Sequence, residues 1–372
     1  MKPTAADGAS GPLVLVLNVG SSSLKAALLG VGGSWLRQWH AERELRGEAL
    51  GDVLEQWLLP QLQPWWPRLQ LVGHRVVHGG ERLTAPTRLR PPLLAELERL
   101  VPLAPLHNRP ALDAIRWLAA AEPQLPQWAC FDTAFHATLP AEAYSYALPR
   151  AWRDQGYRRF GFHGLNHQHV AEVAAAHWRA SGRTGLPRLI SCHLGAGCSL
   201  AAVREGKSID TTMGFTPMEG LVMASRSGSV DPGLLLHLLR QGIPAEQLDH
   251  TLTRASGLKG LSELTGDWRQ LRTAAAEGHA GAQLALAVFR HRLLAGIGAM
   301  AASLEGVDLI ALSAGIGAND PQLAEELQAA LGWLGPFELL RIPADEEGVI
   351  ARECWNGFSR DPADPAFDAA GG

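Results

Sequence analysis

The chain of 372 residues is poor in cysteine, in charge and in long apolar runs. Its four cysteines, Cys130, Cys192, Cys198 and Cys354, are scattered. Cys192 and Cys198 lack the second close pair that a zinc site needs, and nothing suggests a disulfide framework. No run reaches the roughly 18–20 apolar residues of a membrane span. The opening MKPTAADGASGP has no basic stretch followed by an apolar one, so no secretory leader is read there, and a cytoplasmic setting is the default expectation. Only 19% of residues are charged, and 33 Lys and Arg against 37 Asp and Glu leave a net charge of −4. That balance gives no support to a nucleic-acid partner. Phosphate-binding signatures of the two commonest kinds are also missing. There is no GxxxxGKS or GxxxxGKT loop, and no GxGxxG opens a helix after the first strand.

What is present is a globular composition, 47% hydrophobic with 40 Gly and 24 Pro, of a length that suggests about two domains. LVLVLN at 13–18 reads as a buried strand entering a Gly/Ser turn, with a second strand after it. LQLVGHRVVHGG and QWACFDTAFH read as strands that end in loops, and RPALDAIRWLAAAEP at 109–123 as a helix bracketed by prolines. A second series starts near residue 150. It holds a helix over 165–181, a strand–glycine turn–strand unit in LISCHLGAGCSLAAV, and a long apolar helix over 282–306. A strand ending in the glycine-rich turn SAGIGAND comes last. LNVGSSSLKAAL and CHLGAGCSLAAV resemble each other, which suggests a weak internal repeat and two α/β domains of similar build facing a cleft. The first twelve residues and the tail after Arg360 are expected to be disordered.

Three glycine turns stand at the ends of strands: Asn18–Lys25, His193–Ser199 and Ser313–Asn319. Glycine lets backbone N–H groups approach an anion closely, and hydroxyls and Lys25 add donors. Each alone could be an ordinary hairpin turn. A nucleotide threaded between two domains explains the three together. Polar residues in apolar or glycine-rich settings follow the same pattern: Arg75 and His78, His107 and Asn108, Asp132 and His136, His163, Arg226 and Asp231, and Asp345, Glu346 and Glu347. A lone histidine in such a place is more often a satisfied core residue than a catalyst.

Taken in order, ten segments are far more specific: NVGSSSLK, GHRVVHGG, LAPLHN, FDTAFH, FGFHG, CHLGAG, MGFTPMEG, SRSGSVDP, AGIGAN and PADEEGVIARE. From about Leu13 to about Glu353 the chain resembles the acetate kinase family, with propionate and butyrate kinases as relatives. The resemblance implies an α/β fold of two duplicated ribonuclease-H-like domains, as in actin, Hsp70 and sugar kinases, facing a cleft. The first domain would be 1–149, joined by the C-terminal segment 345–372, and the second 150–344. It implies reversible transfer of the ATP γ-phosphoryl group to acetate, with Mg2+ or Mn2+, in a cytoplasmic homodimer that binds neither nucleic acid nor membrane.

The roles it implies are these. Arg75 binds the acetate carboxylate, and Arg226 the carboxylate and the phosphoryl group in transfer. His163 donates to the transition state, with His107 and His193 in the same cleft. Asp132 orients the arginines and metal waters. Asn18 and Glu346 hold the metal. Val77, Leu106, Phe162 and Pro217 form the acyl pocket. Lys25, Ser21 and Ser23 contact phosphates, as does the loop His193, Leu194, Gly195, Ala196 and Gly197. Asp267, Trp268 and Arg269, with Gly315, Ile316, Gly317, Ala318 and Asn319, surround adenosine. A carboxylate is ionised at neutral pH, so no general base is needed, and an Arg- and His-rich site is what such a transfer requires. The chain departs from the family pattern at Ala196 (usually Asn), Ala318 (usually Glu) and Leu165-Asn166 (usually Thr-Ser). Only 28 residues separate Gly317 from Glu346, so a strand or hairpin of the second domain is expected to be missing. These changes leave a longer acyl acceptor, pyrophosphate as donor, or a non-enzymatic nucleotide-binding module as the alternatives.

Overall fold

In the computed structural model, residues 11–20, 24–31, 34–41 and 50–360 are described. The first ten residues, the tail after Arg360, and Ser21 and Ser23 lie outside them. The chain divides into one unit made of Met1–Ala134 with Asp345–Gly372, and a second of Phe135–Ala344.

The first unit is built on strands β1 (Leu13–Val19), β2 (Leu24–Gly30), β3 (Trp35–Ala41), β4 (Leu69–Val76), β5 (Thr87–Arg88) and β6 (Gln127–Phe131), in the order β3-β2-β1-β4-β6-β5. β1 is central, antiparallel to β2 and parallel to β4, and every one of its residues is buried. Burial on both faces is why LVLVLNV runs apolar without alternation. Leu13, Leu15 and Leu17 join a core with Ala114 and Leu118 of the helix Pro105–Ala121. Successive residues of a strand point to opposite faces. Val72 of β4 faces that core, and Gly73 faces the helix Glu346–Arg360, where a methyl would fall 2.7 Å from Ile350 and 3.0 Å from Cys354.

The second unit has β7 (Leu189–Leu194), β8 (Cys198–Arg204), β9 (Lys207–Thr211), β10 (Leu309–Ser313) and β11 (Glu338–Ile342), in the order β11-β10-β7-β8-β9. β7, β8 and β9 pair antiparallel, and β7, β10 and β11 parallel. That repeats β1, β2, β3, β4 and β6 of the first unit strand for strand. The weak repeat in the sequence is therefore a duplicated topology, and the architecture is that of the two-domain actin-like ATPases. The fifth strand, β11, is present, so the short 318–345 segment removes none of the five core strands, contrary to the sequence expectation.

The boundary falls at 134/135, not at 149/150. Residues 135–149 belong to the second unit because their polar groups are satisfied there. His136 bonds Ser208 Oγ at 2.8 Å, Thr138 Oγ1 donates to Ser208 O at 2.8 Å, and Tyr146 Oη donates to Glu219 at 2.5 Å. The helix after LAP begins at Pro105, ahead of the expected 109, since proline suits the first helical position. The segment after β10 is a short helix, Ala314–Asn319, rather than an open turn, with Ala314 in the left-handed region at φ 64°.

Ala280–Leu304 is the one helix among the described residues long and apolar enough to cross a membrane. Its buried residues Ala282, Ala285, Phe289, Leu293, Ile297, Met300 and Leu304 recur every three or four positions along one stripe. Arg290, His291 and Arg292 are exposed in its middle. That is the pattern of a helix packed on a core. The four cysteines are buried and unbridged. Cys130 and Cys354 lie 3.5 Å apart between β6 and the C-terminal helix.

Because Gly73 leaves no room for a methyl against Ile350, Gly73→Ala forces the C-terminal helix outward. We expect a loss of about 1–3 kcal/mol in urea unfolding. An unchanged midpoint would show that the helix shifts at no cost.

Candidate active site

Each unit carries part of the predicted set, and both parts sit at the ends of the parallel strands. In the first unit, Asn18 is near the end of β1, Arg75 near the end of β4, and Asp132 follows β6. Parallel pairing of β4 with β6 sets Arg75 against Cys130, two residues from Asp132. Arg75 Nε donates to Asp132 Oδ1 at 3.0 Å and Nη2 to Oδ2 at 2.5 Å, a bidentate pair. Nη1 donates to Asn18 Oδ1 at 3.2 Å, and Glu346 lies 4.0 Å from Nε. Asn18 Nδ2 in turn donates to Glu346 at 3.3 Å and Glu347 at 3.1 Å, at the first turn of the C-terminal helix. Burial disfavours the Arg75 charge, but Asp132, Glu346 and Glu347 together outweigh it and push the pKa up, so the guanidinium is permanent.

His78 and Asn108 have structural work. Asn108 Oδ1 accepts from His78 N at 3.0 Å, and Asn108 Nδ2 donates to His78 O at 3.1 Å, closing the loop after β4. Val77 is buried beside it, His107 lies in the first turn of the helix Pro105–Ala121, and Lys25 stands opposite Asn18 on β2. Leu106 is in that helix turn as well.

In the second unit, His163 takes a left-handed conformation, φ 56°, just ahead of the helix Gly164–Ala180. Its ring stacks on that of His193, at the end of β7, with centroids 3.9 Å apart and planes 11° from parallel. Ser199 Oγ lies 2.9 Å from His163 Nδ1 and 2.8 Å from His167 Nε2, while Ser191 Oγ is 2.8 Å from His167 Nδ1. The loop Gly195–Gly197 faces this pair: a methyl at Gly197 would fall 3.0 Å from His163 Nε2 and 4.0 Å from Arg226 Nη1. Arg226 Nη1 donates to Pro217 O at 2.8 Å. Pro217 is carried by the 213–220 segment, which Glu219 anchors through Tyr146 and through Arg159 at 2.7 Å. Phe162 is buried.

Beside the Gly195 loop is a cavity of about 720 Å³ with mainly apolar walls. Its wall brings together Gly195 and Ala196 of the loop expected at phosphates with Asp267, Trp268, Arg269, Gly315, Ile316 and Asn319 of the segments expected around adenosine. Leu194, Gly197, Gly317 and Ala318 are not in its wall. Asp267 is the N-cap of its own helix, accepting from Arg269 N at 2.9 Å and Gln270 N at 3.1 Å. Sequence reasoning missed Asp320 and Arg272, which also line the wall. Asp320 accepts from Trp268 Nε1 at 2.6 Å and Arg272 Nε at 3.1 Å. Arg272 sits four residues after Trp268 on one helix, the spacing that could have revealed it. Asn166, His167 and Ser199 were also missed as functional, although Asn166 stood out as a departure.

Among the described residues no three His, Cys, Asp or Glu side chains converge as a metal cage. The oxygens gathered at Asn18 are its own amide oxygen, which accepts from Arg75, and the carboxylates of Glu346 and Glu347 that its amide nitrogen meets; carboxylate and amide oxygens suit a hard, water-rich cation and not a thiolate or imidazole metal.

The model of the Acetokinase family matches residues 38–350. The acetate kinase of Gloeobacter violaceus is 49% identical over 93% of this chain and 100% of its own length. That of a Synechococcus strain is 43% identical over 92% and 98%. Among solved structures, a propionate kinase from Francisella tularensis superposes with a TM-score of 0.86 at 30% identity, over 93% of this chain and 99% of its own. The acetate kinase of Porphyromonas gingivalis does so with 0.81 at 30% identity and the same coverage. Fold and site thus define a phosphotransferase of the actin-like class, with a carboxylate acceptor. The chain belongs to the acetokinase family.

Buried neutral histidines make the structure acid-sensitive. Burial holds His74 and His136 down at about 4; burial, and then the neighbouring His136 and His193, hold His167 well below its ordinary value. Between pH 6.5 and about 4 the unfolded chain binds more protons at these sites. Stability is therefore full above 6.5 and falls by about 1.4 kcal/mol per pH unit per group below it. Thermal midpoints at pH 7.5, 6 and 5 check this, and a flat profile would refute neutral burial.

Proposed function

We propose that this chain is an acetate kinase that moves the ATP γ-phosphoryl group reversibly to acetate by direct in-line transfer. The observation that carries the reading is the Arg75–Asp132 pair. Both oxygens of Asp132 are committed to the guanidinium, so Asp132 is an orienting group and not a base. A base is not required, because the acceptor carboxylate is already ionised. Catalysis rests on placement and charge neutralisation. Arg75 receives the acetate. Arg226, held by Pro217 O, and His163 present donors to the phosphoryl oxygens, with backbone N–H groups of Gly195–Gly197 beside them. The family resemblance assigns the methyl group to Val77, Leu106, Phe162 and Pro217 and the phosphates to Lys25, Ser21 and Ser23. The thiols of Cys130, Cys192 and Cys198 are not poised as covalent nucleophiles: burial is the main force holding Cys192 and Cys198 up, and Cys130 is raised chiefly by its hydrogen bond to Cys354.

Mg2+, held through Asn18 and Glu346 with waters, would neutralise charge on the phosphates. The apolar cavity with Trp268 and Ile316 in its wall favours a nucleotide over pyrophosphate as donor. Four unbridged thiols suit a reducing compartment such as the cytoplasm. Acetate and propionate differ by one methylene, about 1–3 kcal/mol, so acceptor choice is a matter of degree. Hydroxamate trapping should report acetyl phosphate from ATP, Mg2+ and acetate. ATP, GTP and pyrophosphate tested against acetate, propionate and butyrate rank donor and acceptor, and no product from ATP with any acid would end the proposal. Arg226→Ala should lower kcat by about 100-fold or more.

We also propose a homodimer. The helix Pro232–Arg240 buries none of its residues, and Leu234, Leu236 and Leu239 are exposed along it. A second copy of the chain is the occupant that we assign to this apolar face. Light scattering should give twice the chain mass, and Leu236→Asp should give the monomer; a monomeric parent chain would refute the assignment.

A further inference from the structure

The stacked pair His163 and His193 presents a problem that the family resemblance leaves open: which ring nitrogen of each carries the proton. Two imidazolium rings 3.9 Å apart would repel, so at most one is charged. For His193 the answer comes from Asn166, the residue that departs from the usual Thr-Ser. Asn166 is fully buried in the first turn of the helix Gly164–Ala180. Its Nδ2 lies 2.9 Å from His193 Nδ1 and 3.2 Å from Ser313 Oγ, and its Oδ1 lies 3.3 Å from that same hydroxyl. An amide nitrogen donates and never accepts, so the His193 Nδ1 that it meets must carry a lone pair. That requirement excludes both the Nδ1–H tautomer and the imidazolium.

We propose that Asn166 is a positioning residue that commits His193 to the neutral Nε2–H form and so supplies the phosphate loop with a second fixed imidazole donor. The direction of that donor agrees with the geometry. A methyl placed on Gly195 would fall 3.7 Å from His193 Nε2, and the same test at Gly197 meets His163 Nε2 at 3.0 Å. Both rings turn Nε2 toward the glycine loop and Nδ1 toward buried partners, Asn166 for one and Ser199 for the other. The two partners differ in kind. Ser199 has one hydroxyl proton between two imidazoles, His163 and His167, so its direction can reverse. Asn166 can reverse only by turning its whole amide over, whereas a hydroxyl reverses by rotating one proton. His193 is therefore the fixed donor of the pair and His163 the adjustable one. The family's usual serine there could either donate or accept; in this chain the choice is made by the residue type.

The inference deepens the proposed phosphoryl transfer and rests on it for its consequence, but the proton position is read without turnover. Long-range 15N–1H correlation spectra of the 15N-histidine-labelled full chain, with His193 assigned by loss of its signals in His193→Gln, should show the Nε2–H pattern in the resting protein. Asn166→Asp replaces the donor by an acceptor of the same shape and should move the proton to Nδ1. With it kcat should fall by about tenfold or more, while KM for ATP and for acetate stays within about threefold. Asn166→Ser, whose hydroxyl can donate or accept, should leave the Nε2–H form accessible, with kcat above that of Asn166→Asp. An Nδ1–H or imidazolium pattern in the parent chain overturns the proposal. So does an Asn166→Asp protein whose tautomer moves while kcat does not. If Asn166→Asp fails to fold, the parent spectrum and the serine variant decide alone. A chain with the Nε2–H pattern that forms no acetyl phosphate would refute the proposed function and leave the tautomer assignment standing.

Discussion

Everything in the first half of the site depends on one buried ion pair. Arg75 can meet an anion in a fixed direction only because something other than that anion already holds it, and Asp132 does so with both oxygens. Two parallel strands set the distance. β4 and β6 pair in a register that puts Arg75 opposite Cys130, and Asp132 comes two residues later. Asn18 from β1 then ties the guanidinium to the start of the C-terminal helix. Three strand ends and one helix start are locked through one planar cation. A lysine would supply the charge without the fork that makes this geometry unique.

The second unit solves the same problem with neutral groups. Imidazoles are oriented by hydroxyls and an amide, and Arg226 by a backbone carbonyl. The carbonyl belongs to a segment that is itself pinned by Glu219 between Tyr146 and Arg159. Burial keeps the deeper histidines, His136 and His167, neutral, so they serve as hydrogen-bond spacers and carry no charge toward the Gly195–Gly197 loop.

Much of this was legible beforehand. Strand-and-glycine patterning gave the two α/β units, and the ordered motifs gave the family and the placement of Arg75, Asp132, His163 and Arg226 at strand ends and loops. Three things were not legible. The boundary at 134/135 is decided by hydrogen bonds of His136, Thr138 and Tyr146 to residues some 70 positions away, which no local pattern encodes. The retained β11 was hidden because a shorter segment can drop loop residues without losing a strand. Asp320 and Arg272 escaped because a cavity wall is assembled from a cap and a helix face that are 48 residues apart. Motifs report what touches a ligand. The residues that orient those contacts lie one layer deeper and carry ordinary names.

The deep placement of all four sulfur atoms has a practical meaning. Cys198, the first residue of β8 after the Gly195–Gly197 loop, is pushed up to about 12 mainly by burial, and Cys130 and Cys192 are raised too. An alkylating reagent therefore meets four buried sulfurs on the intact molecule, and each labelled sulfur records an opening event. Mass spectrometry of the four labelled positions would time the loosening of each half separately, since Cys130 and Cys354 belong to one unit and Cys192 and Cys198 to the other.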